Sequence, residues 1–429
     1  MSGKVNLHVR GFPRFLSFGG FTDLTEGNQA DFASARASSV FRYAGIDGAG
    51  DGGQYLTDDP ATTRTIGLAR AVEKELGSGN PVVPVMVSYT CNLTLGDVGG
   101  MLQNPDRLAH SFANLILSLN LATKAADEDH PMPAAYIVNP DFLGSCQQQA
   151  LAPDYTMPVR HPLTQALRHW RISASLPDSI TDTLRGYVHA LNWLVRTVEP
   201  TVSFGWSVSI WGGGSSSWVQ STDDEPRELA SKTSSYIKSL GVCDGDDRPD
   251  FFAVDRYEAD DLTMRSYMNG YCYGPREWRR FFDFCGALGE QLEAPIMLWQ
   301  IPASHIPLSN DNVNDEFESQ HWGTGGSYIL GDAGVKSDYH NINPKILALK
   351  LDRALMPATN SVEEVFKRAE PFDLSNPAYK DLPLRGIFAM LLGGGATTGI
   401  VSSIGNPEPW VRDKLKEYMQ DPVQLPSSE

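Results

Sequence analysis

The feature that most constrains this chain is a short apolar run that turns polar at its C-terminal end and then recurs along the sequence. Ala134-Ala135-Tyr136-Ile137-Val138 leads into Asn139-Pro140-Asp141. Consecutive apolar residues without alternation describe a strand buried on both sides, the signature of a parallel sheet. Pro140 has no N–H to give to a ladder, so pairing should stop there and leave Asn139 and Asp141 at the strand's end. The plan is repeated where Phe251-Phe252-Ala253-Val254 runs into Asp255-Arg256-Tyr257-Glu258, and where Ile296-Met297-Leu298 runs into Trp299-Gln300. A parallel barrel places its functional groups at this point, just past the strands.

The remaining segments fall into the same rhythm. Further strands are expected at Phe15–Phe21, Val40–Asp47, Val82–Tyr89, Thr201–Trp211 and Arg385–Leu392. Between them come helical segments over Gln29–Ser39, Thr62–Leu76, a long helix begun by Asn104-Pro105-Asp106, and Asp182–Val198 capped by Thr181. Glu225–Leu240, Pro275–Leu292, Lys345–Leu355, Ser361–Lys367 and Pro409–Met419 complete the set. Eight strands alternating with helices predict an α/β fold, a single (β/α)8 barrel domain over 1–429. Long insertions after strands 4 and 7, at 144–180 and 305–339, would shape its functional face. A doubly wound open sheet would want a glycine fingerprint after its first strand, and none is there. The glycine run 48–53 lacks the Lys-Ser/Thr ending of a phosphate loop.

Charge narrows the partner. The chain of 429 residues carries a formal net charge of −17, which argues against nucleic acid and anionic membranes, since phosphate binding depends on clustered Lys and Arg. A neutral or cationic partner fits. No apolar run reaches the roughly 18 residues that span a bilayer, so no membrane insertion is expected. No signal peptide is visible, a state shared by cytoplasmic proteins and processed secreted ones. The five cysteines are scattered, without a Cys-x-x-Cys pair, which speaks against a zinc site or a disulfide framework. No cofactor or metal site is expected.

Collecting the strand ends gives Arg42, Asp47, Tyr89, Asn139, Asp141, Trp206, Trp211, Asp255, Tyr257, Glu258, Trp299, Gln300 and His305, with Asp23 and Asn92 nearby. The mixture is carboxylates, amides and aromatics, with no lysine. Sugars ask for it: aromatic faces stack on the apolar side of the ring, and amides and carboxylates take up hydroxyls. Two carboxyl groups across a cavity supply a general acid with a base or nucleophile. Trp322 and His321, in the second insertion, are expected near the ligand. Each residue also has a structural alternative. Asp141 could cap the next turn, Asp255 could pair with Arg256 or Arg42, and the tryptophans could be core.

With these residues in view, the pattern resembles the (β/α)8 glycoside hydrolases. In the largest clan of that fold the acid/base is a Glu after Asn at the end of strand four, and the nucleophile is a Glu ending strand seven. Here strand four ends Asn139-Pro140-Asp141 and strand seven ends Trp299-Gln300, and glutamine is no nucleophile. The resemblance therefore implies a glycosidase acting on an oligo- or polysaccharide. Asp141 would be the acid, and the second carboxylate would move to strand six, as Asp255 or Glu258. A carbohydrate-binding barrel without cleavage is the first alternative, and a metal-assisted hydrolase the second.

Overall fold

The computed structural model describes residues 5–46, 51–77, 79–94, 96–215, 217–220, 225–256, 260–262, 272–314 and 321–426. Eight parallel strands close on themselves in sequence order: β1 (Ser17–Phe21), β2 (Ser39–Tyr43), β3 (Val83–Ser88), β4 (Ala135–Val138), β5 (Ser203–Val208), β6 (Phe251–Asp255), β7 (Ile296–Ile301) and β8 (Ile387–Leu392). β8 returns to β1 with Ser17 opposite Ala389. This is the expected (β/α)8 barrel, and nearly every strand residue is buried because helices cover the outside while the strands' own side chains fill the inside.

The lower end is plugged. Phe12 packs edge-on against Phe388 at 5.2 Å and Phe251 at 6.5 Å, the rings that begin β8 and β6. Residues near the C-terminus tie down the start of the barrel, with the Tyr418 hydroxyl donating to the Leu16 carbonyl at 2.7 Å. With that end closed by aromatic packing, the strands' C-terminal ends are left to hold a site.

Helix starts follow their capping chemistry. Asp59 accepts from the Thr62 N–H ahead of the helix Pro60–Leu76, and Asn104 from the Arg107 N–H ahead of Pro105–Ala125. Some helix boundaries differ from expectation. The helix expected from Asp182 starts at Leu184, because Thr183 caps it through the Gly186 N–H and Asp182 is spent on the N–H groups of Val159 and Arg160. The segment Lys345–Leu355 is helical only over Pro344–Leu347.

The two long segments are not bare loops. Residues 144–180 hold most of the helix Phe142–Gln148 and all of Arg160–His169. The second segment buries Ile306, Val313, Trp322, Val335 and Tyr339 in an apolar cluster of its own, shared with Phe366 and Phe372. Those described side chains make a satellite core beside the main one. No helix among the described residues is long and apolar enough to cross a membrane.

Candidate active site

A cavity of about 460 Å³ opens at the C-terminal ends of the strands. Its walls take Tyr43 from β2, Tyr89 and Leu93 after β3, Pro140 and Asp141 after β4, Trp211 after β5, Asp255 from β6 and Gln300 from β7. Of the residues collected from the sequence, it brings together Tyr89, Asp141, Trp211, Asp255 and Gln300.

Asp141 is placed by an unusual backbone. Asn139 and Asp141, on either side of Pro140, both take positive φ, 51° and 62°. Asn and Asp tolerate that left-handed conformation better than other side chains, so Asn-Pro-Asp suits the turn. Asp141 stands at the start of the helix Phe142–Gln148 but makes no capping bond with it. Its Oδ1 instead accepts from the Ser209 hydroxyl at 3.3 Å, which leaves the carboxyl facing the cavity. Burial pushes this carboxyl above its ordinary value of 3.8, with the Ser209 hydrogen bond opposing the shift.

That shift has a consequence for stability. A carboxyl raised in the folded state favours folding below 3.8 and loses that contribution as pH rises through its raised value. Asn has no proton to lose and keeps the left-handed backbone. Asp141→Asn is therefore expected to gain in melting temperature relative to wild type as pH climbs from about 4 to 7. Melting curves across that range check it, and a wild type that becomes the more stable of the two toward neutrality would contradict the burial account.

Gln300 is aimed by a bulge. β7 and β8 pair Leu298 with Met390 but Ile301 with Leu392, so β7 carries one extra residue, and Gln300 sits in it at φ 51°. A bulge of this kind re-aims a side chain. The Gln300 amide donates from Nε2 to the Tyr43 hydroxyl, and the Tyr43 ring stacks near Tyr89 at 6.2 Å and 24°. The glycine run after β8 makes room: a Cβ on Gly394 would lie 3.0 Å from Gln300 Cγ. Across the cavity, Gly144 lets Trp211 lie against the helix after β4, since a Cβ there would come within 3.0 Å of the indole. Gln148 fixes the Trp211 carbonyl with a 2.9 Å hydrogen bond.

Other sequence candidates sit elsewhere. Asn139 is fully buried and its amide is consumed: Oδ1 accepts from Thr90 N, Thr90 Oγ1 and Cys91 N, and Nδ2 donates to the Tyr187 hydroxyl. Trp206 is equally buried, on the helix side of β5, donating from Nε1 to Asn192 Oδ1 at 2.8 Å. Trp299 packs edge-on beneath the site, against Phe41 and Tyr43. Arg42 donates to the Thr22 carbonyl at 2.8 Å, 5.7 Å from the centre of the Phe21 ring. His305 stacks on Trp410 and meets Trp322 edge-on, inside packing that does not line the cavity. His321 is held by Asp260 at 3.0 Å, and Asp260 also accepts from Ser304 and Thr398. Asp23 and Asn92 accept from Thr25 and Thr94 in local turns. Asp47, Tyr257 and Glu258 lie outside the described residues.

Tyr43 is the group that sequence reasoning missed. Strand β2 was credited with Arg42, its neighbour, and a step of one residue along a strand moves a side chain to the other face. The alternation Phe41, Tyr43 was the available signal, since Phe41 is wholly buried. Among the described residues, no group of three or more His, Cys, Asp and Glu could hold a metal ion. All five cysteines are free thiols.

The chain matches no family model and no curated protein. Among solved structures it is similar to a Bacteroidetes-affiliated GH5 cellulase, at 11% identity and a TM-score of 0.45, over 96% of this chain and 97% of that one. It is also similar to the endoglucanase CEL6B of Humicola insolens, at 13% identity and a TM-score of 0.31. That match covers 60% of this chain and 64% of the endoglucanase, under two thirds of its length. The carboxyl transferase domain of Rhizobium etli pyruvate carboxylase is similar at 10% identity and a TM-score of 0.34, over 94% of this chain and 46% of that one. At such values the likeness carries nothing about the chemistry of the cavity.

Proposed function

We propose that this protein is a glycoside hydrolase acting on an oligo- or polysaccharide, with Asp141 as general acid. The observation that carries the reading is one cavity, at the strands' C-terminal ends, lined by the carboxylates of Asp141 and Asp255 and by the rings of Tyr43, Tyr89 and Trp211. Asp141, whose carboxyl burial favours in the protonated form, gives its proton to the leaving glycosidic oxygen. Asp255, or Glu258 on the same segment, either removes a proton from the attacking water or attacks the sugar carbon itself. Gln300, held by Tyr43, takes a sugar hydroxyl. The aromatic rings bind the apolar faces of the sugar.

Gln300 also favours a second reading. A strand-seven end that carries an amide instead of a carboxylate suits a barrel that holds a glycan without cutting it. Release of reducing ends from a panel of polysaccharides, with glycan binding measured alongside, separates the two. The glycosidase reading expects cleavage of at least one member by the wild type. Binding without any cleavage would hand the site to the second reading, and neither binding nor cleavage would remove carbohydrate altogether.

A further inference from the structure

The excess negative charge of this chain is not spread evenly along its sequence. Counted along the sequence, the segments that run from each strand's C-terminal end to the next described α-helix are 22–27, 44–59, 89–97, 139–141, 209–225, 256–274, 302–324 and 393–409. Together they hold 19 Asp and Glu and two Arg, a net −17. The whole chain, with 52 acidic and 35 basic residues, is also −17, so everything else balances at 33 of each. One of the two arginines, Arg256, is buried in an ion pair with Asp261. Glu225 lies away from the mouth, in a groove with Leu384 and Gly386, which precede β8.

Gathering like charge in the connections of one end costs self-repulsion, whereas solubility would be served equally by acids spread over the helices. The cavity at that end adds an independent restriction. Among the described residues no Lys or Arg lines it, while Asp141, Asp255 and three aromatic rings do. Among the described residues, a uronic acid or sulfated sugar would meet the Asp255 carboxylate there and no cation to receive its charge. A protonated amine would meet the Asp255 carboxylate within the cavity, aromatic faces that attract cations, and an approach field of its own opposite sign.

Resting on the glycosidase reading above, we infer that the substrate is a cationic glycan, one whose sugars carry free amino groups. The site is the cavity already described, and the charge distribution identifies the class of sugar it takes.

The test uses the full-length wild type and oligosaccharides matched in linkage and length but differing in one substituent: hydroxyl, free amine, N-acetylated amine or carboxylate. kcat/KM is read from reducing-end release at about 20 mM and about 500 mM NaCl, where the screening length shrinks severalfold. The free-amine series is expected to be cleaved best at low salt and to lose on the order of tenfold or more at high salt, as steered association does. The neutral series should change little, and the carboxylate series should be the poorest. The variant Glu26→Gln/Asp58→Asn/Glu408→Gln neutralises three exposed acids outside the cavity wall. It should lose part of the salt dependence on the free-amine series and keep wild-type activity on the neutral one. Equal cleavage of neutral and amine substrates, or a free-amine rate indifferent to salt, overturns the cationic class and leaves the glycosidase reading standing. Absence of cleavage throughout, by a folded wild type, takes down both.

Discussion

Asp141→Asn is expected to lose roughly 10²–10⁴-fold in turnover on a natural glycan while binding it nearly as well as wild type. The substitution keeps the size of the side chain, the left-handed backbone and an oxygen for the Ser209 hydroxyl, and removes only the proton. The loss should fall in kcat, because proton donation acts in the transition state and not in the ground state. An aryl glycoside whose leaving group needs no protonation should escape much of the defect in bond breaking. A loss well below that range, or one confined to KM, would make Asp141 a binding group. The fold supports the chemical role at a point where a capping role was the obvious alternative, since the carboxylate starts a helix without bonding to it.

The largest effect on stability is expected at Asn139. Replacing it with Ala leaves the buried N–H groups of Thr90 and Cys91 without an acceptor and the Tyr187 hydroxyl without its donor. It also places Ala at φ 51°. Each stranded buried group costs about 1–3 kcal/mol and the left-handed backbone about 1–2, so a total of at least about 4 kcal/mol is expected. Unfolding entropy of about 2.1 cal/mol/K per residue converts that, over a chain of this size, into at least roughly 4 °C of melting temperature. Tyr187→Phe, which removes one of the four bonds, should cost about 1–2 kcal/mol. Thermal and denaturant melts read both. An Asn139→Ala protein as stable as wild type, with glycan binding alone impaired, would return Asn139 to the substrate.

These two neighbours show what the sequence could convey. Asn139 and Asp141 share a turn and a conformation, and the apolar run before them announced a strand end correctly. The run could not say that the amide folds back onto the β3 loop while the carboxylate turns to the cavity, because that choice depends on Thr90, Cys91 and Ser209, brought close only by the barrel. The fold was legible because eight separate strands repeat one pattern, and helix-start signals such as the Asn104 cap and Pro275 at the first helical position stand in plain view. Boundaries slipped where two capping residues compete, as at Thr181 and Thr183. On β2 the phase of alternation was lost over a strand of only five residues, so Arg42 was named and Tyr43 passed over. Trp206 and Trp322 were misplaced for a different reason: aromatic side chains serve cores and sugar platforms alike, and burial alone separates the two uses. The orientation of Gln300 depends on a bulge against β8 and on Gly394, nearly a hundred residues later, and no local pattern encodes either.

The pH dependence of kcat/KM for wild type and Asp141→Asn, on one aryl glycoside whose leaving group still profits from protonation but which both hydrolyse, tests the central claim most directly. A general acid must be protonated to act, so the wild-type profile should fall on the alkaline side as pH rises through the raised value of Asp141. The base or nucleophile must be ionised, so the profile should also fall on the acid side. The account predicts that Asp141→Asn loses the alkaline fall and keeps the acid one. An alkaline fall of the same midpoint and depth in the variant would contradict it, because the proton on which the reaction depends would then belong to another group.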